Sequence, residues 1–112
     1  IAIYCNSLEF PLSPHVEAPG KLSPAAERGR KVFFQNEVGC AKCHNGPYYC
    51  DSRLQTPYNL HDVGTGGGDK SERMGTKYDT PTLLGIYRGA PYLHDGSAPT
   101  LLDVLTTANK GD

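Results

Sequence analysis

The feature of this sequence that most constrains its fold is five residues long: Cys40-Ala41-Lys42-Cys43-His44. Two thiols three positions apart on one turn can reach the vinyl groups of neighbouring haem pyrroles, and an imidazole directly after them falls under the iron. With four Cys and four His in 112 residues, chance places such a pentapeptide in a chain of this length only about 0.005 times. The rival readings are weaker. A redox dithiol belongs at the opening of a helix in a βαβ pattern, which is absent here. Zinc wants four ligands, and Cys5, Cys50, His15, His61 and His94 do not form a second matched pair. A structural disulfide between the two motif cysteines is the third rival. One covalently attached haem c, bound through Cys40, Cys43 and His44, is therefore the expected cofactor, with His44 as the proximal iron ligand.

A covalent macrocycle also answers a problem of size. A chain of 112 residues is one small domain that buries only a modest core from its own side chains, and a large apolar disc packs as core. The 38% hydrophobic content and the absence of Trp suit such a chain. Eleven basic and twelve acidic residues are interspersed, so no electrostatic footprint for nucleic acid or an anionic membrane is expected. The apolar runs Ile1–Tyr4 and Leu101–Leu105 fall far short of the roughly eighteen residues of a membrane helix. A start at Ile1, without the basic and apolar stretches of a secretory signal, reads as a mature product or a fragment.

Along the chain, Ile1, Tyr4, Cys5 and Leu8 recur at helical spacing, so residues 1–9 read as two turns of amphipathic helix. Residues 10–22 form a linker in which Pro11, Pro14 and Pro19 resist helix. Residues 23–112 form the main domain. The spacing predicts a helix over 24–35, capped by Ser23, with Pro24 at its first position, Leu22 as an entry staple and Ala25, Gly29, Val32 and Phe33 inward. Gly29 costs about 1 kcal/mol against Ala in a helix, which points to the close approach of another backbone, or to a plain surface glycine. Residues 45–75 read as loop ending in the run Gly64-Thr65-Gly66-Gly67-Gly68. A short helix is expected from Pro81 with Thr80 as its cap, and another from Leu101 to about Thr107 with Thr100 and Asp103 in a capping box. No strand-like alternation stands out, and the fold class expected is all-α, with short helices and long loops around the haem.

Tyr78-Asp79-Thr80-Pro81-Thr82-Leu83, followed by Ala90-Pro91-Tyr92-Leu93-His94-Asp95-Gly96, resembles the bacterial di-haem cytochrome c peroxidase superfamily, which includes the di-haem enzyme that matures methylamine dehydrogenase. Gly46-Pro47-Tyr48, Leu60-His61-Asp62-Val63-Gly64 and Thr100-Leu101 through Thr107 extend the resemblance over residues 23–110, in the order of the family's second, C-terminal haem domain. The resemblance implies a cytochrome c-like fold, haem attachment outside the cytoplasm in the periplasm or an equivalent compartment, and electron transfer or peroxide chemistry. It also implies a redox partner protein or a neighbouring haem domain within a longer or multi-subunit protein. Residues 1–9 are similar to the closing helix of a preceding domain. The family's distal iron ligand lies fourteen residues after the His of the Pro-Tyr-x-His-Asp-Gly motif, where this chain has Ala108, which cannot bind iron.

Four side chains remain as distal candidates. Met74, the only Met, would raise the haem potential and suit electron transfer, or could simply face solvent. His61 is the alternative distal ligand, and an internally hydrogen-bonded imidazole is its other reading. His94 is expected beside the haem edge, bonding a propionate or backbone. His15 sits in the Pro-rich linker. An open or water-bound iron, or a ligand from outside this chain, completes the set. Arg88 stands where the family often has a basic residue and could pair with a propionate through its planar fork, or remain exposed. Leu84 replaces the Arg of many relatives. Cys5 and Cys50, positions where relatives seldom carry Cys, are expected to form a disulfide in an oxidising compartment.

Three functions follow from these residues. Electron transfer needs only a six-coordinate haem with a partly exposed edge. A peroxidase or related haem oxidase would need an open iron face and a proton-moving group beside it. A structural haem within a larger multi-haem assembly is the third.

Overall fold

The structure, a computed structural model, describes residues 1–9, 12–66 and 75–106. Its elements are α1 (Ala2–Asn6), α2 (Pro24–Phe33), α3 (Cys40–Cys43), β1 (Leu60–Asp62), β2 (Lys77–Asp79), a 3-10 turn at Ile86–Arg88 and α4 (Leu101–Leu105).

Local chemistry explains where the helices start. Ser23 holds extended backbone and its hydroxyl oxygen accepts the Ala26 N–H at 3.2 Å, while Pro24 occupies a first-turn position that needs no donor. Glu27 pairs with Arg30 at 3.0 Å on the exposed side. At α4 the capping box forms as expected: the Thr100 hydroxyl accepts the Asp103 N–H at 3.2 Å and the Asp103 carboxylate accepts the Thr100 N–H at 3.0 Å. Gly39, in the left-handed region at φ +78°, turns the chain directly into α3. Its freedom there is what lets the two-cysteine turn begin.

Other expectations need correction. No helix starts at Pro81. Thr80 is buried, and its carbonyl accepts from the Cys50 thiol and the Ser52 hydroxyl, so long-range partners hold it instead of a cap. The Thr82 hydroxyl likewise goes to the carbonyl of Tyr48. The chain turns only later, at Ile86–Arg88. No strand-like alternation marks the sequence, yet β1 and β2 pair antiparallel with Leu60 opposite Asp79, His61 opposite Tyr78 and Asp62 opposite Lys77. Three residues a side are too few to show alternation. On α2, Gly29 has open space around it, with no atom within 4 Å of where a Cβ would stand, so among the described residues no backbone approaches it.

The β ladder and the loop 92–98 form the centre. Tyr92 and Ala98 exchange both backbone hydrogen bonds, at 2.7 and 3.3 Å, and Ala98 is the one fully buried apolar residue among those described. Large side chains such as Val32, Phe34 and Val38 stay about half exposed, and α1 is exposed throughout. The described side chains thus close very little core. Among the described residues no helix is long and apolar enough to cross a membrane.

Candidate haem site

Cys40 and Cys43 occupy the first and last positions of the single turn α3, and His44 closes it, its N–H on the Cys40 carbonyl at 3.0 Å. Asn45 fastens the end of the turn: its side-chain amide donates to the Lys42 carbonyl at 3.1 Å and its N–H to the Cys43 carbonyl at 3.0 Å. The chain then doubles back, with the Cys50 N–H on the Asn45 carbonyl at 2.8 Å. This reversal presents the Tyr49 carbonyl to Nδ1 of His44 at 3.0 Å. A carbonyl can only accept, so Nδ1 carries the proton and Nε2 keeps the lone pair that a metal requires.

Beside this turn lies a second arrangement. Nδ1 of His61, on β1, is 3.6 Å from the Cys43 sulfur, and its Nε2 is 2.8 Å from the Asp51 carboxylate. The Thr80 hydroxyl, and then His61, hold the Asp51 carboxyl below its ordinary range by hydrogen bonding to the charged form. Burial first, and then the nearby Asp51 charge, push the Cys43 thiol up. Next along the ladder, Tyr78 stands opposite His61 in register, and the ring of His94 stacks on Tyr78 with centroids 4.3 Å apart. Both ring nitrogens of His94 are buried without a hydrogen-bond partner. A neutral imidazole always carries one N–H, and leaving such a donor unmet costs about 1–3 kcal/mol.

These residues fit a haem. The His44 imidazole is in the metal-binding tautomer, the two thiols share its turn, the buried His94 nitrogens call for a polar partner such as a propionate, and the described residues close little apolar core of their own. Cys40, Cys43 and His44 would hold the group. His61 does reach the motif, but against the Cys43 sulfur, with its other nitrogen committed to Asp51. His15 is exposed, and its backbone N–H donates to the Ser13 hydroxyl at 3.2 Å. Arg88 is exposed, its guanidinium 5.6 Å from the Tyr87 ring centre, and Leu84 is half-buried. Met74 and Ala108 lie outside the described residues.

The expected disulfide is not formed. Cys5 and Cys50 are free thiols, Cys5 on the exposed face of α1 and Cys50 donating to the Thr80 carbonyl at 3.1 Å with Ser52 beside it at 2.8 Å. The Cys50 sulfur is engaged with β2's end, and α1 is not packed against it. The contacts of Asp51, the Thr82 hydroxyl and the Tyr49 carbonyl are not marked in the sequence. None has a spacing signature, because each acts on a residue that folding alone brings to it.

A family profile described as RoxA-like, cytochrome c-like matches residues 77–111. Hydrazine synthase subunit gamma of Kuenenia stuttgartiensis is 33% identical over 97% of this chain and 40% of its own length. Cytochrome c551 peroxidase of Nitrosomonas europaea is 33% identical over 64% of this chain and 24% of its own, and the methylamine utilization protein MauG of Methylorubrum extorquens 30% over 77% and 25%. This chain belongs to the di-haem cytochrome c peroxidase and MauG-like superfamily. A solved structure of the Kuenenia hydrazine synthase superposes with a TM-score of 0.74 at 31% identity, covering 94% of this chain and 44% of that one. It is a cytochrome c-like haem domain related to MauG and the peroxidases, and it carries the Cys40-to-His44 motif. It spans about 40% of the length of the hydrazine synthase subunit.

Proposed function

We propose that this domain transfers electrons through a c-type haem held by Cys40, Cys43 and His44, within a longer or multi-subunit protein that meets a redox partner or a second haem domain. The supporting observation is the Tyr49 carbonyl on Nδ1 of His44, which leaves Nε2 free at the end of the two-thiol turn. When bound, the haem supplies a one-electron ferrous/ferric couple. The chain's part is to fix the imidazole, to surround the macrocycle with apolar side chains and to meet the propionates, for which His94 is our candidate. Arg88 is a second candidate, through its fork geometry. We place the protein in the periplasm or an equivalent extracytoplasmic compartment. Met74 is the distal candidate retained, since His61 already has partners on both nitrogens.

The test combines mass and optics. The haem-loaded chain, denatured, should show one haem-sized addition removed by Cys40→Ala plus Cys43→Ala. Its spectrum should be low-spin in both oxidation states and unchanged by carbon monoxide or peroxide. Rapid carbon monoxide binding and a peroxide-induced spectral change would replace electron carriage with the peroxidase reading. A chain without the addition would end the haem assignment altogether.

A further inference from the structure

The loop that offers its carbonyl to His44 is held from outside itself. Tyr49 sits at φ +51°, in the left-handed region that a bulky aromatic residue seldom occupies. Its N–H reaches the Gly46 carbonyl at 3.3 Å, a long bond for so unusual a backbone. The conformation therefore needs support. On one side the Tyr49 ring meets Phe33, at the end of α2, edge to face at 6.2 Å. On the other, Thr82 donates its hydroxyl to the carbonyl of Tyr48, thirty-four residues away in sequence, while the same oxygen accepts the Leu84 N–H at 3.2 Å.

We infer that Thr82 is a positioning residue for the proximal histidine: by holding the Tyr48 carbonyl it keeps Tyr49 in the left-handed turn that aims its own carbonyl at His44 Nδ1. This positioning role rests on the haem reading above and goes beyond it, because control of the imidazole falls to a hydroxyl bonded to Tyr48 and Leu84 and not to His44 itself. The peptide unit joining Tyr48 to Tyr49 carries the clamped oxygen at one end and the Tyr49 N–H at the other. Fixing that plane limits how far the following carbonyl can swing. A strong Nδ1–H to carbonyl bond raises the basicity of the ligating nitrogen and favours the ferric iron. Loosening it moves the potential upward.

The test uses the full haem-loaded chain with Thr82→Val, which keeps the side chain's shape but removes the hydroxyl, and Thr82→Ser, which restores it. Thr82→Val should raise the midpoint potential and speed hydrogen exchange at His44 Nδ1 about tenfold, the loss of one ordinary hydrogen bond's worth of protection. Thr82→Ser should return both to wild-type values. An unchanged potential and exchange rate in Thr82→Val would overturn the inference, as would a Ser variant as perturbed as the Val variant. Should Thr82→Val not load haem, the ring-nitrogen NMR shifts of His44 in the unloaded full chain decide. A fixed Nδ1–H tautomer in wild type that averages in Thr82→Val supports the clamp, and the same fixed tautomer in both refutes it. That readout also separates the two claims, because a wild-type chain with no haem addition but a Thr82-dependent tautomer defeats the haem assignment while leaving the clamp standing.

Discussion

Two glycines should respond oppositely to the same substitution. Gly66 is buried at the edge of the β ladder, and a Cβ built on it would stand 2.6 Å from the Tyr78 hydroxyl, 2.8 Å from its ring and 2.9 Å from the Thr76 Cα. All three fall below the 3.0 Å that Cβ atoms essentially never breach, and one of them is backbone. Thr76 cannot rotate away, since it belongs to the turn entering β2 and its hydroxyl donates to Asp62 at 2.7 Å. Tyr78 can yield only by sliding on His94, against which it stacks at 4.3 Å. Gly66→Ala is therefore expected to cost about 1–3 kcal/mol through overpacking, with ~0.5–1.5 kcal/mol more where the ring leaves His94. In a domain stable by about 5–15 kcal/mol this is a large fraction. Gly29→Ala, in open space on α2, should instead stabilise by about 1 kcal/mol through helix propensity. Urea unfolding of the three proteins, followed by far-ultraviolet circular dichroism, measures both. A Gly66→Ala change smaller than about 0.5 kcal/mol, the ordinary scatter of surface substitutions, would refute the packing argument.

Acid should act partly through Asp51, whose carboxyl is held below its ordinary value of 3.8 by Thr80 and then by His61. A depressed folded pKa contributes stability that is complete above the unfolded value and is lost as pH falls through the folded one. Unfolding free energies at pH 6 and pH 3 should therefore fall more for wild type than for Asp51→Asn, and parallel losses would contradict the linkage. At α4, Thr100→Ala removes one half of the capping box and should cost about 1 kcal/mol, read as a lowered urea midpoint with unchanged slope. A loss no larger than that of a surface control would show the cap to be idle.

How much of this was legible beforehand depended on the distance over which each feature is specified. The two-cysteine turn, the Ser23 cap and the Thr100 and Asp103 box are all set within a few residues, where spacing and side-chain chemistry act directly. The helix expected at Pro81 does not form because Thr80, the expected cap, gives its carbonyl to Cys50 and Ser52, and the Thr82 hydroxyl goes to Tyr48. The Cys5–Cys50 bridge failed for a related reason: cysteine content says that thiols exist, and only packing says which of them meet.

The sequence alone determined the two-cysteine motif and its turn, since two sulfurs and an imidazole at that spacing need one helical turn and nothing more. The tertiary structure decided which tautomer His44 adopts, that His61 faces Cys43 with Asp51 behind it, and that His94 is buried on Tyr78. These contacts join residues up to 18 positions apart. Their geometry comes from the closed chain, because hydrogen-bond angles and ring stacking are satisfied only after the loops have met.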